Sequence, residues 1–387
     1  MIRVLHIEPI GGHRGMHYYD FSLCNALAAQ GVQPILLTSD ETDTRRYSLS
    51  FPVDKAFRGI YGRGRSLQRG LNYLRALLHI AKRSPHNDGE IAHLHYFLVP
   101  LFDYLFLRVM KRKGFKIIIT AHDIVPFNQK PSSLLSAIYH LAERVIVHAQ
   151  VNQQEIMSTF HLPAGRIAVI PQGHYLPYAN ARLSEAEAKA KLGIPAGHKM
   201  VLFFGQIKRV KGLDYLIQAF PAVLRAHPQT ILSITGPVWK DDWSRYDSMI
   251  QSLGLQDHVL TRIRHIPDQD VATYFCAADV VVLPYLKIYQ SAVLQMAYSY
   301  GRPVVATATG GMVEVLRDGE TGYLVPPRDS EALARAICQM LADKAHAEEM
   351  GRKGRHLVET KYSWTGIAAE MKRVYEEALA AKGAVSP

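Results

Sequence analysis

Four short stretches of the chain combine residue types and spacings that could do chemistry. In Glu8-Pro9-Ile10-Gly11-Gly12-His13-Arg14-Gly15, the pair Gly11 and Gly12 permits a tight turn. Such a turn lets backbone N–H groups approach a phosphate where the next helix starts. The spacing is not GxGxxG, which disfavours a nicotinamide or flavin site. In Thr120-Ala121-His122-Asp123, directly after an apolar run, His122 could position or polarise a hydroxyl and Asp123 could orient it. A histidine bonded to loop backbone is the bland alternative, and His93-Leu94-His95 reads as packing with polar tips. Gly205-Gln206-Ile207-Lys208-Arg209-Val210-Lys211-Gly212 sets three cations within four residues between a strand and a helix. That arrangement makes an anion pocket, and two such cations suit a diphosphate that is held and then stabilised as it leaves. Finally, Gln290-Ser291-Ala292-Val293 opens a helix with small residues that offer N–H groups, and Gly310-Gly311-Met312-Val313-Glu314 follows a further strand.

These stretches need scaffolding, and the apolar runs supply it. Arg3–Glu8, Pro34–Thr38, Ile91–His95, Lys116–Thr120 and Arg144–His148 read as strands with amphipathic segments between them. A second series comprises Met200–Phe204, Gln229–Thr235, His258–Ile263, Val280–Pro284, Pro303–Thr307 and Gly322–Val325. Runs such as VLFF, VVVLP and PVVAT are continuous rather than alternating, as buried parallel strands are. Strand–helix alternation predicts an α/β chain with two Rossmann-like, doubly wound domains joined near residue 180. Each chemistry-bearing stretch then falls just past a strand's carboxyl end, where open α/β sheets bind ligands.

Composition excludes other classes. Apolar residues make up 48% and charged residues 20% of 387, an ordinary globular balance. Cys24, Cys276 and Cys338 lie far apart with no CxxC, which argues against a disulfide scaffold or cysteine-rich zinc site and for a reducing cytosol. Eighteen histidines show no HExxH-like spacing, so no metal is expected. There is no apolar run long enough to span a bilayer, and the N-terminus reads as a strand rather than a signal peptide. The net charge is +11, and residues 1–180 carry 20 Lys and Arg against 12 Asp and Glu. Lys55–Arg83 alone holds eight basic residues and no acidic one. An anionic partner for the first half is the expectation, with a solvated basic face as the bland alternative.

Taken in order, G-x-I-x-x-x-K-G-L-D-x-L-I, A-D-x-x-V-L-P and G-x-P-V-V-A-T-x-x-G-G-x-x-E resemble the GT-B nucleotide-sugar glycosyltransferases of the family 4 type, over nearly the whole chain. The resemblance implies two Rossmann-like domains facing across a cleft. Residues 1–180 would form an acceptor-binding domain and 181–360 a nucleotide-sugar donor domain. Residues 361–387 would carry a helix, Trp364–Ala381, that packs back on the first. It implies that Lys211 and a neighbouring cation grip the donor diphosphate, that Gly11 and Gly12 lie across from it, and that His122 stands beside the transferred sugar. Gly205, Lys208, Arg209, Gln290, Ser291, Ala292, Val293 and Glu314 complete the expected donor site, with His122, Asp123 and Lys211 catalytic. His13, Arg14, His17 and Tyr18 are the expected acceptor contacts. Such enzymes generally dispense with a metal and any cofactor beyond the nucleoside diphosphate sugar substrate, using cations and helix N-termini for the leaving group.

Three positions depart from the family pattern. Gln206 stands where an arginine is usual, and Ile288 and Met296 occupy the places of two glutamates. The motifs Pro284-Tyr285, Gln290-Ser291-Ala292-Val293, Ala297-Tyr298 and Ile170-Pro171-Gln172-Gly173-His174-Tyr175 look closer to a branch found mostly in surface-polysaccharide assembly. The expectation is transfer of a hexose, with GDP-mannose or UDP-glucose as donor, to a saccharide acceptor carried on a polyprenyl diphosphate. Retention of configuration is the family default; for inversion Asp123 or Glu8 would be the base.

Leu67, Leu71, Leu74 and Leu78 share one helical face flanked by Arg69, Arg75, Lys82 and Arg83, as in a helix lying on an anionic leaflet. A Rossmann helix with its apolar side on the sheet gives the same spacing. The resulting expectation is a cytoplasmic protein, peripheral on the inner face of the plasma membrane through residues 55–83, with no nucleic-acid module. The competing readings are a GT-B protein that binds sugar or a partner without catalysis, supported by Gln206 and the missing glutamates, and a nucleotide-sugar epimerase.

Overall fold

The computed structural model describes residues 1–12, 15–62, 66–85, 90–125, 130–179 and 183–381. They form two compact units, one of the residues up to 173 with those from 363 to 381, the other of the residues from 174 to 362.

The first unit is built on a seven-stranded parallel sheet: β1 (Arg3–Glu8), β2 (Gln33–Ser39), β3 (Val53–Phe57), β4 (Glu90–Leu94), β5 (Lys116–Thr120), β6 (Arg144–Val147) and β7 (Ile167–Val169), in the order β3-β2-β1-β4-β5-β6-β7. Its helices are α1 (Met16–Ala29), α2 (Ser66–Ala81), α3 (Pro100–Arg112), α4 (Ser133–Leu141) and α5 (Gln150–Phe160). The helix Trp364–Ala380 also belongs here. Strand side chains alternate between faces, and one face stacks Val4, Ile91, Ile118 and Ile146 beneath Leu23 and Leu27 of α1 and Ile367, Met371, Val374 and Tyr375 of this last helix. Fully burying each such side chain stabilises by about 1.5–3 kcal/mol. Gln30 Nε2 donates to the Thr365 carbonyl at 2.7 Å and Lys372 Nζ to the Gln30 carbonyl at 3.0 Å. Gly173 must be glycine because a side chain there would run into the Trp364 indole.

The second unit carries a six-stranded parallel sheet: β8 (Lys199–Phe204), β9 (Thr230–Thr235), β10 (Val259–Arg262), β11 (Val280–Leu283), β12 (Val304–Thr307) and β13 (Gly322–Val325), in the order β10-β9-β8-β11-β12-β13. Around it lie α6 (Glu185–Leu192), α7 (Leu213–Ala226), α8 (Trp243–Ser252), α9 (Asp268–Ala277), α10 (Ala292–Ser299), α11 (Met312–Val315), α12 (Ser330–Ala342) and α13 (Lys344–Lys361). Helix α6 starts with a capping box between Ser184 and Glu187. At the sheet's amino end, Asp279 accepts from the Met200 N–H at 2.7 Å and pairs with Lys189 at 2.7 Å, tying β11, β8 and α6 together.

Strand order reverses between β1 and β4 in one sheet and between β8 and β11 in the other. The crevices past their carboxyl ends are therefore the places to look. The sequence reading missed β3 and β7, both at sheet edges.

Candidate active site

In the second unit, β8 runs into Gly205, whose φ of 106° is open to glycine. Lys208 then caps a single tight turn, Arg209–Lys211, and Gly212 (φ 63°) opens α7. The loop is zipped to the one after β11: Leu286 N–H donates to the Val210 carbonyl at 2.8 Å. A side chain on Gly212 would strike the Pro284 carbonyl. This close approach puts the Lys211 ammonium 3.6 Å from the centre of the buried Tyr285 ring. Lys208 and Lys211 are half-buried and Arg209 is exposed.

The Ser291 hydroxyl accepts from Leu294 N–H at 3.2 Å and caps α10. Helix geometry leaves the N–H groups of Ala292 and Val293 without acceptors inside the helix. The Val293 side chain lies beside Gly205, within 3.4 Å of where a Cβ would stand, so the glycine turn after β8 and the start of α10 meet. Gln290 Oε1 is buried with no hydrogen-bond partner among the described residues. A side chain at Gly310 would strike the Ile288 carbonyl, and Gly311 N–H bonds the Tyr289 carbonyl at 3.1 Å. Glu314 follows half-buried on α11. Gln206 and Met296, two of the three departures, are also half-buried, and Ile288 is buried.

In the first unit, Gly11 (φ 52°) and Gly12 turn tightly against the end of β2: a side chain on Gly11 would collide with the hydroxyls of Thr38, Ser39 and Thr42. His13 and Arg14 lie outside the described residues. His17 and Tyr18 are buried, with the His17 ring 4.1 Å from that of Tyr18 and 5.7 Å from Tyr47.

His122 belongs to a larger construction. On the sheet face beneath α1, each strand's apolar residue is followed two positions on by a polar one: Val4 by His6, Ile91 by His93, Ile118 by Thr120, Ile146 by His148. Two positions further come Glu8, His95 and His122. All are at most 6% exposed. His95 Nδ1 lies 3.1 Å from His122 Nε2, His122 Nδ1 lies 3.1 Å from His148 Nε2, and His148 Nδ1 lies 2.8 Å from the Ile170 carbonyl oxygen. His93 meets the Tyr375 and Thr120 hydroxyls, each at 2.8 Å. Tyr96 stacks on His122 at 5.0 Å, and the Tyr19 ring stands edge-on to His95, His122 and His148. Glu8 accepts from Ile10 N–H at 2.7 Å, and Asp123 is half-buried.

Burial governs the charges here. It pulls His6 down to about 3 and His148 to about 4, the latter partly offset by the Ile170 carbonyl. It holds His93, His95 and His122 well below the usual histidine range, with neighbouring imidazoles adding to the effect. Burial also raises Asp20, whose carboxylate lies 3.8 Å from His6. The row is neutral at pH 7.

Two donor trios, His6/His93/His95 and Glu8/His95/His122, have atoms within 4.8 Å of one another. Neither is arranged as a chelate. The His95 ring lies 4.0 Å from His6 and 4.3 Å from His93, tilted face to face, whereas imidazoles sharing one zinc hold their centres roughly 5 Å apart. His122 and His93 already use both ring nitrogens.

Each of the two parallel sheets has a glycine turn at its switch point, and the second adds a cationic loop joined to a helix N-terminus. The family description "Glycosyl transferases group 1" matches residues 184–357, and "Glycosyltransferase Family 4" matches residues 14–175. The chain is 27% identical, over 97% of its length and 94% of the relative's, to a D-inositol 3-phosphate glycosyltransferase of Arthrobacter sp.. Among solved structures it is similar to sucrose-phosphate synthase from Thermosynechococcus elongatus (TM-score 0.78, 24% identity, 99% of this chain and 100% of that one). It is also similar to the Anabaena protein HepE in complex with UDP-glucose (TM-score 0.77, 18% identity, 97% and 100%). The protein belongs to the GT-B glycosyltransferases of family 4, and it is an enzyme that moves a sugar from a nucleoside diphosphate sugar to an acceptor. Enzymes of this family typically act without a metal cofactor.

Proposed function

We propose that the enzyme transfers a hexose to a saccharide acceptor carried on a polyprenyl diphosphate at an anionic membrane surface, in surface or exopolysaccharide synthesis. The observation that carries this reading is which side of α2 faces out. Tyr73, Ala76, Leu77 and Ile80 are buried, while Leu67, Leu71 and Leu78 are 76%, 41% and 57% exposed. Neighbouring α3, tied to α2 by a hydrogen bond from Tyr73 to Asp103, adds exposed Leu101, Leu105 and Val109. Arg75, Lys82, Arg108, Lys111 and Arg112 flank these side chains. Exposed leucines ringed by cations match an anionic leaflet better than water. Among the described residues no helix is long and apolar enough to cross a membrane.

In this reading the first unit takes the acceptor and the second the donor, with GDP-mannose or UDP-glucose the leading candidates. Lys208 and Lys211, with the Ala292 and Val293 N–H groups, hold the diphosphate and stabilise it as it departs; Arg209, Gln290 and Glu314 serve as further donor contacts. With retention, the acceptor hydroxyl attacks on the leaving-group face and gives its proton to a diphosphate oxygen. Asp123 is a better base for inversion than Glu8, which is fully buried. His17 and Tyr18 reach the acceptor only if their rings leave their buried positions.

A second reading rests on the 27% identity to D-inositol 3-phosphate glycosyltransferases: a small phosphorylated acceptor would suit the same basic unit. Thermal shift with GDP, UDP, ADP and their sugars tests the donor. One nucleotide should stand out and lose its effect in Lys211→Ala. Response to none would overturn the choice of donors. Assays with a polyprenyl-diphosphate sugar against an inositol phosphate separate the two acceptors.

A further inference from the structure

The hydrogen bonds along the histidine row have only one permitted direction. The Ile170 carbonyl can only accept, so His148 carries its hydrogen on Nδ1. A neutral His148 has a lone pair on Nε2, and the 3.1 Å contact must be filled by hydrogen on His122 Nδ1. A neutral His122 then has its lone pair on Nε2, and His95 supplies the hydrogen from its own Nδ1. The row ends at His95 Nε2, a lone pair with no hydrogen-bond partner among the described residues. Only neutrality and one backbone oxygen are needed to assign three rings.

We infer that the Ile170 carbonyl sets the tautomer of His122 through His148, and that His148 and His95 are positioning residues that hold the His122 ring in place as the Nδ1–H form. The part of this that concerns catalysis rests on the reading of His122 as the residue beside the transferred sugar. His122 spends both ring nitrogens on its neighbours, lies flat against Tyr96 and takes the Tyr19 ring edge at 5.0 Å. It therefore acts through a fixed ring rather than by moving a proton. The lone pair that the row leaves unused, on His95 Nε2, is buried.

The test has two arms. Imidazole nitrogen NMR of the full chain without substrate reads the tautomers directly. The expected result is hydrogen on Nδ1 of His95, His122 and His148, unchanged from pH 8 to 6. The titratable groups that face the row are His6 and Glu8 from β1, Tyr19 and Asp20 from α1, His93 from β4, Tyr96 just after β4, and Tyr375 from the helix Trp364–Ala380. Hydrogen on Nε2 of any of the three, or a charged ring at pH 6.5, overturns the inference whatever the enzyme's substrate.

The second arm uses amides as partial mimics. In His148→Gln the amide oxygen reaches the Nε2 position and still accepts from His122. In His148→Asn the amide nitrogen keeps the Ile170 bond but loses His122. His148→Gln should keep the His122 Nδ1–H signal and most of kcat. His148→Asn should release the signal and lower kcat about tenfold with the donor KM unchanged. Equal kcat in the two variants would remove the positioning role while leaving the tautomer assignment to stand or fall on the spectra.

Discussion

Lys211 rests its ammonium on the face of Tyr285, 3.6 Å from the ring centre, and the two residues come from loops after neighbouring strands of one sheet. A cation over an aromatic face gains about 0.5–2 kcal/mol, and here the ring aims a flexible side chain. Tyr285→Phe keeps the ring face and should keep the donor KM. Tyr285→Leu should raise it about three- to tenfold, and Lys211→Ala should lower kcat/KM about 100-fold or more. Steady-state kinetics on the three variants decide this; equal KM in the Phe and Leu variants would show that the ring does not hold the cation.

The outward leucines give a second expectation. Leu71→Glu with Leu78→Glu should cut binding to vesicles containing anionic lipid at least tenfold, while melting stays within about 1 °C because surface changes cost little. Cosedimentation measures the first and calorimetry the second. Undiminished binding would leave the membrane reading without its main support.

Gly212 and Gly254 both have positive φ, 63° and 65°, but only Gly212 has a carbonyl where its Cβ would go. Alanine at 254 should cost about 1–2 kcal/mol, the left-handed penalty alone. Alanine at 212 should cost clearly more and also disturb the cationic loop, weakening donor binding. Denaturant unfolding with a donor titration separates the two effects.

Five buried histidines, His6, His93, His95, His122 and His148, have folded-state pKa values below 6.5, so below that pH the unfolded chain binds more protons. The part of the first unit's stability that comes from these neutral rings is therefore fully present above about pH 6.5 and falls as the pH drops toward 4. Each ring contributes about 1.4 kcal/mol per pH unit. Asp20 and Asp103, both raised by burial, Asp103 to about 7, run the other way as pH rises above about 4. His6 makes no hydrogen bond among the described residues, so His6→Leu removes one titrating ring at little other cost. Its unfolding free energy should fall about 1.4 kcal/mol less per pH unit between pH 6 and 5 than that of the wild type. Parallel curves would show that His6 is already charged in the folded protein.

Central strands were legible because burial on both faces leaves continuous apolar runs, as in Val280–Leu283 and Val304–Thr307. The edges were not: Val53–Phe57 carries Asp54 and Lys55, as edge strands do, and Ile167–Val169 is only three residues long. On α2 the apolar residues form two faces, and periodicity alone does not say which is turned to the sheet. The glycine turns and the cationic loop follow from local spacing. The histidine row does not, because His6, His95, His122 and His148 become neighbours only through the register of four strands. A two-residue alternation ending in histidine on successive strands was the signal present.

The helix Trp364–Ala380 roofs a sheet whose last strand ended nearly two hundred residues earlier in the chain. During synthesis, the whole of the second unit is polymerised while the first still lacks its cover. Until that helix arrives, only α1 covers Val4, Ile91, Ile118 and the histidines beside them, and any ring that water reaches charges freely below pH 6.5. The N-terminal half is thus made first and finished last, and a chain truncated before residue 364 would leave that sheet face without its second helix.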